Sequence, residues 1–171
     1  MMKKFAALLL ALCLLGSVAS AADLTWDAVS ETAAQIEGEF KTFDEIAVKI
    51  WMPAVLKEAE LSEEDRAAGY IGYYMPEDQT AAVAVQYVDM NGMTLEEYEA
   101  KLKEDSDVSG IETGTVNGLP AVSYDLQGKD TTAIAFTTEK GYILEVSCAP
   151  MSDEGFKAVA LMIVCSIQSA E

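Results

Sequence analysis

Apolar residues recur along this chain with two periods, and each change of period marks a change of element. Trp26, Val29, Ala33 and Ile36 fall at helical spacing with Gly38 behind them, which predicts an amphipathic helix over residues 25–37. Ile46, Val48, Ile50 and Met52 then alternate with polar or small residues up to Pro53, the period of a strand. Ser62 and Asp65 are spaced as a helix cap ahead of a short turn ending at Gly69. Residues 70–75 and 81–90 are extended runs separated by PEDQT, and they are predicted to pair as a hairpin. Thr94 and Glu97 have capping-box spacing, and Leu95, Tyr98 and Leu102 then share one helical face, with Glu97/Lys101 and Glu99/Lys103 spaced as supporting ion pairs. Asn117-Gly118 sits between two extended segments and predicts a second hairpin. Residues 131–138 and 142–148 read as further strands, bounded by turns at 127–130 and 139–141. Phe156, Val159, Ala160, Ile163 and Val164 return to helical spacing after Ser152 and predict a closing helix to about residue 165.

Several of these strands are apolar or small on both faces. Ile134 and Phe136 point one way while Ala133 and Ala135 point the other, and Val83, Val85 and Tyr87 oppose Ala82, Ala84 and Val88. Such a sheet needs cover on both sides, and three predicted helices are available to supply it. The expected fold is therefore α+β: a largely antiparallel β-sheet covered by helices on both faces, a three-layer α/β/α sandwich.

The first residues change what counts as the folding unit. Lys3 and Lys4, the apolar run 5–15 and the small-residue motif Ala19-Ser20-Ala21 together have the form of a secretory signal peptide over residues 1–21. The run is shorter than the roughly 20 residues that a bilayer requires. Cys13 follows Leu12, where a lipoprotein signal carries a small residue, so a lipid anchor is the less favoured alternative. Residues 22–171 are expected to form one α+β domain, secreted or extracytoplasmic in the periplasm or at the cell surface, with no further membrane span. Removing residues 1–21 takes away Lys3 and Lys4 and no acid, leaving 9 basic against 29 acidic residues and a formal net charge of −20. So acidic a surface repels phosphate backbones and anionic headgroups, which excludes nucleic acid as a partner.

The side-chain inventory offers little catalysis. The chain has no histidine, which removes the usual general base and zinc ligand, and it has no phosphate-binding glycine loop, no Gly-x-Ser-x-Gly elbow and no Cys-x-x-Cys. No catalytic residue, metal ligand or cofactor is assigned. The segment VDMNGMTLEEY resembles a calcium loop, but with Gly92 at the sixth position the first and twelfth fall on Tyr87 and Tyr98, which cannot supply the required carboxylates. Asn91-Gly92 as a turn and Thr94/Glu97 as a cap account for the same residues.

Cys148 and Cys165 remain after signal removal. A helix of about 14 residues travels about 20 Å and folds back along a strand of similar length, placing Cys165 near Tyr142 and well beyond bridging distance from Cys148. Free thiols are expected, with an oblique helix crossing or a frayed end as the way to a bridge. Tyr70, Tyr73 and Tyr74 in YIGYYMP are the candidate ligand-binding residues, against the alternative of packing within the sheet. If Tyr70 and Tyr74 face inward, alternation sends Tyr73 to the other side.

The succession of a leading helix, FDEIAVKIWMP, the hairpin into AVQYVDMNGMTLEEY, then VNGLPAVSYDLQGKDTTAIAFTTEKGYILEVSCAP and a closing helix is similar to small secreted domains of the PsbP-like fold. Lumenal photosystem subunits and a Ran-binding import factor share that fold, as do small bacterial secreted proteins and lipoproteins. The resemblance runs from about Phe40 onward and implies the fold alone, since it carries no ligand motif. The expected function is a secreted, non-catalytic accessory or protein-interaction domain whose partner is an unknown protein or cell-envelope component. The alternatives are a small-ligand or glycan-binding module using a tyrosine-lined surface, and an enzyme using paired carboxylates.

Overall fold

The computed structural model describes residues 23–138 and 141–170, so the signal-peptide pattern over residues 1–21 lies outside the described residues. Its elements in order are β1 (Asp23–Leu24), α1 (Trp26–Ala33), β2 (Gly38–Phe43), β3 (Val48–Pro53), β4 (Lys57–Glu58), α2 (Glu63–Ala67), β5 (Tyr70–Met75), β6 (Ala82–Asp89), α3 (Leu95–Glu104), β7 (Val108–Val116), β8 (Leu119–Leu126), β9 (Thr131–Thr137), β10 (Tyr142–Ala149), α4 (Glu154–Cys165) and β11 (Gln168–Ser169). An eight-stranded sheet runs β1-β7-β8-β9-β10-β6-β5-β4, and a three-stranded sheet runs β11-β3-β2. The pairings are antiparallel apart from β1 with β7. The architecture is the expected α+β class.

Local chemistry sets most of the boundaries. Asn117 and Gly118 have φ of 49° and 79°, the left-handed pair that a tight hairpin between β7 and β8 requires. Ser62 and Thr94 open α2 and α3 with capping boxes, each side-chain oxygen accepting the N3 backbone N–H while Asp65 or Glu97 reaches back. Asp153 caps α4 by accepting from the Phe156 N–H at 2.7 Å.

The large sheet has two differently covered faces. Its inner face, with Val83, Val85, Phe136, Leu144 and Val146, packs against α1, α4 and the small sheet, whose Ile50 and Met52 are fully buried. On the outer face α3 sets Leu95, Tyr98 and Leu102 over Val122, Tyr124 and Ala133. Ile134 and Phe136 go to the inner cluster and Ala133 to the outer one, as their alternation predicts.

Some elements depart from the sequence pattern: Ile46, expected in the strand, lies in a 3-10 turn over Asp44–Ile46, and β3 begins only at Val48. The first helix ends at Ala33, and Gly38 begins β2 and does not stop a helix. Glycine is required there by close approach, because a Cβ would lie 2.7 Å from the Trp51 ring and from the Met52 carbonyl. The small sheet is then tied to α4 through Ser166, which is fully buried and whose Oγ accepts from the Trp51 N–H at 2.8 Å and donates to the Ile163 carbonyl at 2.6 Å.

Candidate functional site

The outer face carries the most distinctive polar arrangement among the described residues. Tyr98 on α3 and Tyr124 on β8 both donate to Glu145 Oε2 on β10, Tyr98 at 2.9 Å and Tyr124 through a very short hydrogen bond. The two phenol oxygens lie 3.4 Å apart, and Ser147 Oγ approaches Glu145 Oε1 at 3.4 Å. Register explains the meeting: Tyr124 opposes Ala133 and Ala133 opposes Ser147, while Ala135 opposes Glu145, so these residues share one face in adjacent rows. Burial, reinforced by the Glu145 charge, pushes the Tyr98 phenol up to about 12. The same causes, burial first, push Tyr124 higher still. Both phenols therefore stay protonated as donors at neutral pH, and they occupy the carboxylate oxygen that a general base would need free.

The helix α3 packs chiefly over β7 and β8, whereas Ala84 on β6 and Ser147 on β10 lie in interior strands with both neighbours paired and are still partly exposed. A small side chain flanked on both sides keeps that exposure only where no layer lies above it. The stretch of β10, β6 and β5 bearing Ser147, Ala84 and Tyr73 is thus an open part of the outer face.

The tyrosines divide differently from simple alternation. Tyr70 opposes Gln86 and Gly72 opposes Val85, so β5 carries a bulge with one extra residue at Ile71. The bulge turns Tyr70 to the same face as Tyr73, and leaves Tyr74 alone facing inward. Tyr74 is 2% exposed and belongs to the core, so it presents no surface to a ligand. Tyr70 and Tyr73 are half-buried on the open outer face beside Gln86 and Ala84. A mid-strand glutamate in YILEVSCA is the sequence signal for Glu145, and one acid among 29 selects nothing by itself.

Other features are structural. Asp89 Oδ1 accepts the Asn91 N–H at 2.8 Å, so the calcium-like segment is a side-chain-stabilised turn followed by a cap. Among the described residues no group of three or more acids or cysteines is arranged to hold a metal ion. A pocket of about 100 Å³ between Leu24, Val116, Ala121 and Ile134 is smaller than a small-molecule site needs. Cys148 and Cys165 are free and buried, and burial pushes their thiols up to about 12 and about 11. Both should resist a maleimide in the native protein and react together once it unfolds in denaturant. Native labelling at the rate of a small free thiol would contradict this burial.

Among solved structures, the chain is similar to cyanobacterial PsbP (CyanoP) from Synechocystis sp. PCC 6803, with a TM-score of 0.58 and 10% identity over 78% of this chain and 92% of that one. It is also similar to the Ran-binding protein Mog1p of Saccharomyces cerevisiae, with a TM-score of 0.48 and 10% identity over 80% of this chain and 97% of that one. No family model matches the chain, and no curated protein matches it. The chain has a PsbP-like fold.

Proposed function

We propose that residues 22–171 form an extracytoplasmic, non-catalytic accessory domain that binds a protein partner through the open part of its outer sheet face. The observation that carries this reading is the exposure of Ala84 and Ser147 in the interior of the sheet, where an uncovered, largely small-residue surface is otherwise a liability. The signal-like pattern of residues 1–21 supports the location, and no described helix is long and apolar enough to cross a membrane. A non-catalytic role is supported by the occupation of Glu145 by two phenols.

Photo-crosslinking in the source cell tests the reading, with benzoylphenylalanine placed at Tyr73 on the open face and, as a control, at Glu31 on the exposed side of α1. A discrete protein adduct from Tyr73 alone is expected. Equal labelling from both positions, or none from either in folded protein, would sink it. One observation favours a second reading: the bulge brings Tyr70 and Tyr73 to the same open face, where a sugar could stack. A rise in melting temperature with cell-wall saccharides, lost in Tyr73→Ala, would transfer the face to that ligand.

A further inference from the structure

Resting on that protein-binding reading, we infer that the occupant of the open face is an amphipathic helix of a partner protein carrying lysine or arginine, lying beside α3 and completing the outer layer. Size is the first argument. The uncovered strands β10, β6 and β5 lie about 4.8 Å apart, so the strip is about 10–14 Å wide, the diameter of one helix with its side chains. From Ala82 to Gln86 the strip runs about 13 Å along the strands, which two to three helical turns would span, and it ends where Ile143, opposite Val88 on the same face, is buried. A single helix therefore fits the vacancy in width and in length.

Surface chemistry is the second argument. Ala82 and Ala84 stand opposite Ala149 and Ser147, a shallow floor that lets a helix approach closely. Tyr73 lies at the β5 side, opposite Ala84. On the side next to α3 stands Glu145, a carboxylate held in place by Tyr98 and Tyr124. Its rotamer is already fixed, so a cation meeting it loses little side-chain entropy on pairing.

Charge selects the sign of the partner. The chain carries 29 acidic against 11 basic residues, so its field attracts a basic helix and repels an acidic one or a second copy of itself. Shape asks for a helix with one apolar face, and charge asks that its flank be cationic.

The test uses the full chain and three synthetic 18-residue peptides: an amphipathic Leu/Lys helix, the same helix with Glu in place of Lys, and a Leu/Lys peptide of equal charge broken by two prolines. Fluorescence anisotropy should show the Leu/Lys helix binding at least tenfold more tightly than either other peptide, with affinity falling as salt rises. Glu145→Gln keeps the shape and the acceptor for the phenols, and should weaken binding severalfold. Ala84→Lys should weaken it at least tenfold, while Glu31→Lys, with a charge change of the same sign on α1, should have little effect; circular dichroism melts of each variant check that it is folded. Equal binding of the helical and proline-broken peptides, equal losses in Ala84→Lys and Glu31→Lys, or no binding of the Leu/Lys helix would each overturn the inference. A Tyr73-specific protein adduct in cells alongside any of those outcomes would leave the protein-binding reading intact and remove only the basic helix.

Discussion

Replacing Asn117 with aspartate should destabilise this protein by about 3–5 kcal/mol at neutral pH, and acid should restore part of the loss. The residue occupies the left-handed first position of the β7–β8 turn, and its side chain works at long range. Asn117 Oδ1 accepts the Trp26 N–H at 2.8 Å, and Nδ2 donates to the carbonyls of Cys165 and Ile167, both at 2.7 Å. Its backbone N–H donates to the Leu24 carbonyl at 2.7 Å. One side chain thus pins the start of α1 and the end of α4 to the same hairpin. Asn117→Gly keeps the turn and loses three side-chain hydrogen bonds, a cost of about 2–3 kcal/mol at roughly 1 kcal/mol each. Asn117→Ala adds about 1–2 kcal/mol for the left-handed backbone. Asn117→Asp reaches the same range while keeping an asparagine-like backbone, because an acceptor oxygen replaces the donor that faces two carbonyls.

The pH dependence follows from that repulsion. The introduced carboxylate is disfavoured as an anion in the fold, so its folded pKa rises above the unfolded value of about 3.9. Its relative stability is retained below that value and lost as pH rises through the folded pKa. Urea melts of wild type and Asn117→Asp at acidic and neutral pH should show the gap narrowing on acidification. A deficit independent of pH would mean that the amide nitrogen does not face those carbonyls.

The same residue shows why the fold was only partly legible. Asn117-Gly118 predicts its hairpin because that signal is local, two adjacent residues that accept positive φ. That the asparagine also holds Cys165 and Ile167, 48 and 50 positions away, is a tertiary fact with no trace in periodicity. The small sheet stayed hidden for a related reason. Phe40 and Phe43 in β2 are three apart, so they fall on opposite faces and break the two-residue alternation by which a strand is recognised. Only the outline of the outer face could be read in advance. Tyr70 and Tyr73 were singled out, but a one-residue bulge decides which way each points, and bulges leave no pattern in a six-residue strand. Openness at Ala84 and Ser147 is set by where α3 ends its contact with the sheet, which depends on packing and not on the residues themselves.

Strong base should unfold this protein by about pH 12, with ionisation of its buried tyrosines and of the buried thiols of Cys148 and Cys165 as the cause. Burial, with a smaller contribution from the Glu58 charge, pushes Tyr74 up to about 12, and burial beside Glu145 does the same to Tyr98 and more to Tyr124. Unfolded tyrosine titrates near 10. For a group whose folded pKa is raised, the stabilisation is complete below the unfolded value and is lost as pH climbs to the folded one. Tyr74 alone accounts for about 2–3 kcal/mol over that window, and Tyr98, being partly exposed, for less. Together with Tyr124 the loss approaches the 5–15 kcal/mol that holds a domain folded. Phenolate absorbance from these residues should rise in step with the loss of the β-sheet circular dichroism signal. Other groups also titrate in this range, so the decisive comparison is with Tyr124→Phe. That variant should be less stable than wild type at neutral pH by about 1–2 kcal/mol, because Glu145 loses a hydrogen-bond donor. The difference should shrink above pH 10, where wild type begins to pay for keeping the phenol protonated and phenylalanine has no proton to lose. Parallel stability curves of wild type and Tyr124→Phe up to pH 12 would show that Tyr124 is not sealed beneath α3.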